Sequence, residues 1–132
     1  MARTAITLTS IADFASGGNL TGTTGDQANG MVITNAPIPR VGLIVSSTHS
    51  STVIFTIRVA ASIATFKRGP FFYPNGSYTV PAAVGSVEGK LALILDHPAW
   101  LDAGDININS SDSNLNLCTF YAYTWTPTWN GA

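Results

Sequence analysis

Charge is the scarcest commodity in this sequence. Of its 132 residues only 10% are Asp, Glu, Lys or Arg, against roughly 25% in an ordinary globular domain. Since 45% are apolar, the chain is not a disordered acidic or basic protein, which needs high charge and few apolar residues. A formal charge of −1 argues against nucleic acid as a partner, because phosphate backbones select basic stripes. No apolar run approaches the roughly 18 residues of a membrane span; the longest are Val41–Val45 and Leu91–Leu95. Cys118 is the sole cysteine, which rules out an internal disulfide and multi-cysteine zinc sites. In a strand-like run beside Phe120 it reads as a buried, inert thiol. The N-terminus carries no continuous apolar stretch of a secretory signal, so synthesis in a host cytoplasm without a signal peptide is expected. The sequons at Asn19, Asn75 and Asn109 then have no glycosylation machinery to meet.

What the chain has is a period of two. Ile6 and Leu8 alternate with Thr7 and Thr9, predicting a first strand with one oily and one hydroxyl face. Residues 16–30 hold five glycines among Ser, Thr and Asn and read as a long loop or extended arm. Met31–Thr34 forms a short strand before the prolines of 35–39. Val41, Leu43 and Val45, a polar turn at 46–51, then Val53, Phe55, Ile57 and Val59 predict an antiparallel hairpin. Ser62–Arg68 offers at most one helical turn. Turn residues bracket Phe71-Phe72-Tyr73, and Tyr78–Val80 is a short strand ended by Pro81. Leu91–Leu95, apolar on both faces, reads as a central strand. Ile106 and Ile108 alternate with Asp105, Asn107 and Asn109, and Thr119–Trp125 closes the series. About eight short strands with turn signals between them predict an all-β fold: one antiparallel β-sandwich over 1–132, jelly-roll or Greek-key-like, with a tail at 126–132.

Catalytic constellations are missing. His49 sits among turn serines, and His97 follows Asp96 in an extended chain, where neighbours point to opposite faces. Glu88 is the only glutamate, so a facing carboxylate pair for glycoside hydrolysis is not at hand. The glycine-rich loop Gly22-Thr-Thr-Gly25-Asp26 lacks the Lys-Ser/Thr of a phosphate loop. The stretch Asp102–Asp112 gathers oxygen donors of the kind calcium takes. Strand alternation spreads Asp105, Asn107 and Asn109 along one face, and a solvated face with Asn/Asp turns is the simpler reading. The expectation is a protein that is not an enzyme, without metal or cofactor. Tyr121, Tyr123 and Trp125 share one strand face, which either fills the core or forms a sugar-stacking or protein-binding platform. Trp125 and Trp129, flanking Pro127, suit anchors for a neighbouring subunit, with Phe71 and Phe72 as further interface candidates.

The order of these motifs resembles a known family. The opening Ala-Arg-Thr-Ala-Ile-Thr-Leu-Thr and the Gly/Thr-rich loop to Asp26–Gly30 are similar to the start of small capsid decoration (cement) proteins of tailed bacteriophages. The pattern strand, small-polar turn, strand over Val41–Val59 resembles that family's central element, and Arg68-Gly69-Pro70-Phe71 its Gly-Pro-Phe element. The similarity spans about positions 2–80; the C-terminal third departs, being longer and carrying Trp100 and the Tyr/Trp tail. The resemblance implies a non-enzymatic β-sandwich on the virion's capsid surface, often a homotrimer, bound to the major capsid protein. A tail or neck subunit, or a carbohydrate-binding sandwich, are the other readings. Residues 1–68 hold five basic and two acidic groups, and 69–132 one basic and five acidic, an asymmetry that favours contact between copies unless folding mixes the halves. Val41–Ile57, Gly69–Val87 and Ser113–Ala132 hold no charge at all, as suits a domain packed against other protein.

Overall fold

The computed structural model describes residues 2–11, 19–58, 67–68, 71–72, 76–95, 100–110 and 112–125. These form twelve strands: β1 (Thr4–Ala5), β2 (Leu8–Ile11), β3 (Thr23–Thr24), β4 (Met31–Ile33), β5 (Val41–Ser47), β6 (Val53–Ile57), β7 (Lys67–Arg68), β8 (Phe71–Phe72), β9 (Gly76–Val80), β10 (Gly89–Leu95), β11 (Ile106–Ser110) and β12 (Cys118–Trp125). A 3-10 turn at Leu115–Leu117 precedes β12. The first sheet runs β1-β4-β11-β6-β9 and the second β10-β5-β12-β2, with β3 beside β2 on the same edge of β12. They face each other across a single core, so the chain is the all-β sandwich that its alternation predicts. Two pairings are parallel, β1 with β4 and β2 with β12.

Those parallel pairs arise because the expected first strand is split. Thr4–Ala5 pairs in the first sheet and Leu8–Ile11 in the second. Ile6 is buried where the chain crosses between them, and its N–H donates to the Val32 carbonyl at 2.8 Å. Arg3 donates from its guanidinium to the Ile108 carbonyl and to Asn109 Oδ1, tying this segment to β11. The N-terminal residues therefore join the two sheets along one side of the sandwich. First-half and second-half strands interleave in both sheets, so the sequence's charge asymmetry does not become two charged poles.

The expected hairpin at 41–59 is not one. Both strands form, but β5 pairs with β10 and β12, while β6 pairs with β11 and β9 in the opposite sheet. Residues 48–52 form an arch from sheet to sheet. Its backbone is satisfied from outside: Thr48 N–H donates to the Leu117 carbonyl, and the His49 carbonyl accepts from Ala83 N–H. The reason is the core. Val41, Leu43 and Val45 must bury one face and Val53, Phe55 and Ile57 another, and an arch lets the two faces meet. Phe55 and Phe120 stack edge to face across the interior at 5.6 Å, with Tyr78 continuing the row from Phe55 at 5.7 Å and Trp100 from Tyr78 at 6.3 Å. Burying side chains of this size contributes roughly 1.5–3 kcal/mol each.

Residues 19–30 are a docked loop rather than a free arm. Gly25 N–H donates to the Cys118 carbonyl at 2.9 Å. A side chain on Gly25 would strike the Leu115 carbonyl, so glycine is what allows this approach. Asp26 organises the turn, accepting from the Thr4 hydroxyl (2.7 Å), the N–H groups of Asn29 and Ala28 (3.0 and 3.1 Å) and the Asn29 amide (3.2 Å). Of the expected helical turn at 62–68, Lys67 and Arg68 instead pair with Phe72 and Phe71, and 62–66 lie outside the described residues.

Hydrogen bonding, led by Thr4, holds the Asp26 carboxyl below the ordinary aspartate range. Asp112 is held below it as well, first by the Asn114 N–H, with Ile54 N–H also donating to it. A carboxyl depressed on folding stabilises the fold above its unfolded pKa, and that contribution fades as pH falls through its folded pKa. Thermal melts are therefore expected to hold steady down to about pH 4.5 and to drop once pH passes below about 3.9. Asp26→Asn is expected to lower the melting temperature at neutral pH and to flatten the acid drop.

Candidate interaction surface

The two outer faces of the sandwich differ in chemistry. In the first sheet, outward positions are mainly hydroxyls and amides, Thr56, Ser77, Thr79, Asn107 and Asn109, with Ile54, Val32 and Ala5 between them. In the second sheet they are mainly apolar. Cross-strand register aligns them in rows: Ala92, Ile44 and Tyr121; Ile94, Gly42, Tyr123 and Thr9; then Trp125 and Ile11. Lys90 and Glu88 bring charge to one end of this face.

The Tyr/Trp stripe is thus resolved onto the outside. Cys118, Phe120 and Ala122 fill the core from β12, and Tyr121, Tyr123 and Trp125 lie half-buried on its other face. The Tyr123 and Trp125 rings are neighbours at 5.9 Å, tilted by 39°. Tyr123 also lies over Gly42, its cross-strand partner, where any side chain would collide with the ring. The bare backbone of Gly42 is thereby covered and buried, while the ring lies flat on the sheet. An open depression of about 270 Å³ next to it is lined by Leu20, Ile44, Ser46, Glu88, Lys90 and Tyr121.

β10 corrects a second expectation. It is an edge strand among the described residues, not a central one. Leu91 and Leu93 pack against the core, Leu95 is buried in it, and Lys90, Ala92 and Ile94 are exposed, Ile94 at 56%. Apolar residues on both faces here mean one core face and one apolar surface. The turn before it carries two more exposed apolar side chains, on Val84 and Val87, whose backbone N–H groups each donate to the other's carbonyl.

Among the described residues, the remaining sequence candidates do not assemble into a reactive site. His49 Nδ1 accepts from Ser51 N–H at 2.8 Å, a turn contact. His97, Asp96 and Trp129 lie outside the described residues, as do the side chains of Phe71 and Phe72. The acidic stretch is engaged in backbone and side-chain contacts: Asp105 accepts from Asn35 N–H, Asp102 from the Asn107 amide, and Asp112 caps Asn114. No group of three or more metal-ligating side chains occurs among the described residues. Burial pushes the Cys118 thiol up, away from reactivity at neutral pH. Sequence reasoning missed Leu20, Ile44, Ala92 and Ile94 as parts of the surface. The alternation of Gly42, Ile44 and Ser46 against Val41, Leu43 and Val45 was their signal.

No family model matches this chain, and neither a curated protein nor a solved structure is similar to it.

Gly42→Ala is expected to cost about 1–3 kcal/mol in chemical denaturation, because the new methyl forces the Tyr123 ring off the sheet. Combined with Tyr123→Ala, much of that cost should vanish, giving a coupling of roughly 0.5–3 kcal/mol in the double-mutant cycle.

Proposed function

We propose that this protein is a bacteriophage virion structural protein, a capsid decoration protein that binds the outside of the major capsid protein lattice and stabilises the head. One observation carries the reading. The second sheet presents an apolar and aromatic outer face of Ile44, Ala92, Ile94, Tyr121, Tyr123 and Trp125, while the first presents mostly hydroxyls and amides, with Ile54, Val32 and Ala5 among them and no aromatic ring among the described residues. A sandwich built this way has one side suited to protein and one suited to water. Aromatic and aliphatic anchors on a rigid sheet supply contact area with little ordering cost. The charge-poor composition and the motif order of positions 2–80 support the same reading. Binding then works by desolvation and shape and needs no chemistry.

The pairing of Tyr123 with Trp125 on the exterior also favours a second reading, a carbohydrate-binding module that stacks sugar rings on this face.

The test is co-sedimentation with expanded capsids, followed by capsid melting. Wild-type chain is expected to pellet with capsids and raise their melting temperature. Ile44→Glu or Tyr121→Ala should weaken binding roughly tenfold or more, while Thr79→Glu on the opposite face should leave it intact. Failure to bind capsids, or assembly into rings or tubes instead, overturns the head reading. Glycan-array binding lost in Trp125→Ala would establish the carbohydrate reading in its place.

A further inference from the structure

We infer that β10 is a self-association seam, where two copies of this chain pair antiparallel about a two-fold axis at Ala92 and join their second sheets into one.

The argument starts from where backbone groups point. In an antiparallel ladder, a residue's N–H and C=O both face the same neighbour, and successive residues alternate between the two sides. Gly25 N–H donates to the Cys118 carbonyl and Thr48 N–H to the Leu117 carbonyl. Cys118 therefore faces the β3 side, and Leu117 faces the β5 side. Continuing the alternation along β12, Thr119, Tyr121 and Tyr123 bond to Ser46, Ile44 and Gly42 of β5. The other set on β5, Val41, Leu43, Val45 and Ser47, is left to bond β10 through Leu95, Leu93, Leu91 and Gly89. Lys90, Ala92 and Ile94 consequently aim their N–H and C=O groups away from the sheet. Their side chains are exposed, and no strand among the described residues pairs with this edge.

Natural edge strands are blunted by proline, bulges, inward charges or short length. β10 has seven residues in unbroken register, no proline and one lysine. That lysine fixes the register in which a second copy fits. A two-fold at Ala92 pairs Ala92 with its own copy and sets each Lys90 opposite Ile94 of the other chain, so the like charges stay apart. The three outward residues of each strand then satisfy one another. Because the axis stands perpendicular to the sheet, both aromatic faces end on the same side, giving one continuous apolar surface. The contact is isologous and closes after two copies.

The seam concerns the chain alone and does not depend on capsid binding. Sedimentation equilibrium of the purified full chain is expected to give two chain masses. Ala92→Pro removes only an outward N–H, so the β10–β5 ladder and the circular dichroism spectrum should persist while dimer dissociation strengthens at least about tenfold. Ile94→Lys places a positive charge opposite Lys90 and is expected to yield monomer. Ile94→Glu, which loses the same isoleucine but meets Lys90 with opposite charge, should remain dimeric. A wild-type mass of one or three chains overturns the proposal, as does an Ala92→Pro or Ile94→Lys variant that stays as tightly dimeric as wild type, or an Ile94→Glu variant that dissociates as readily as Ile94→Lys.

Discussion

Both edges of β12 are taken. β5 runs along one side for seven residues, and β2 and β3 share the other. A strand saturated on both sides fixes the alternation of its neighbours, and here that alternation reaches every surface of the second sheet. It sends Phe120 inward to meet Phe55 and turns Tyr121, Tyr123 and Trp125 outward. It also decides which residues of β5 are spent on β12 and which remain for β10. Slipping the register by one residue would bury the tyrosines and expose Phe120. Core, aromatic face and open edge are one choice of phase.

The two sides of the sandwich are finished differently. Where β1 and β2 lie, a single segment crosses from one sheet to the other, with Ile6 buried at the crossing and Arg3 bonded to β11. Opposite, β9 and β10 end their sheets among the described residues, with a turn of exposed valines between them. Polar groups are treated with similar economy. The aspartates that made a calcium site conceivable, Asp102, Asp105 and Asp112, accept N–H and amide protons, which gives loops a definite shape. The result is a sandwich whose outward aromatic rings, among the described residues, all lie on the second sheet.

Much of this was legible in the sequence, and the failures have physical causes. Alternation located β4, β6, β9, β11 and β12 closely, because a period of two follows directly from strand geometry. It also grouped Tyr121, Tyr123 and Trp125 correctly on one face. Alternation says which residues share a face, though, and not which sheet the strand joins. Val41–Val45 and Val53–Ile57 therefore looked like a hairpin when they stand on opposite sides of the core. Leu91–Leu95 looked central because an apolar surface and a core lining are written with the same letters. The split at Ile6 left no mark, since a strand that changes sheets keeps its alternation. The loop around Asp26 was read as unpatterned because its order comes from side-chain acceptors and from the β12 edge rather than from periodicity.

The parallel pairing of β2 with β12 has a consequence in time. Leu8–Ile11 leave the ribosome before most of the described strands, and their partner Ala122–Trp125 belongs to the last of them. β5 likewise waits for β12 to cover its second edge. Until then the second sheet has no centre, and Phe55 has no Phe120 to pack against. The second sheet thus closes through pairings between strands far apart in the chain, a topology that folds slowly and keeps strand edges open until β12 arrives.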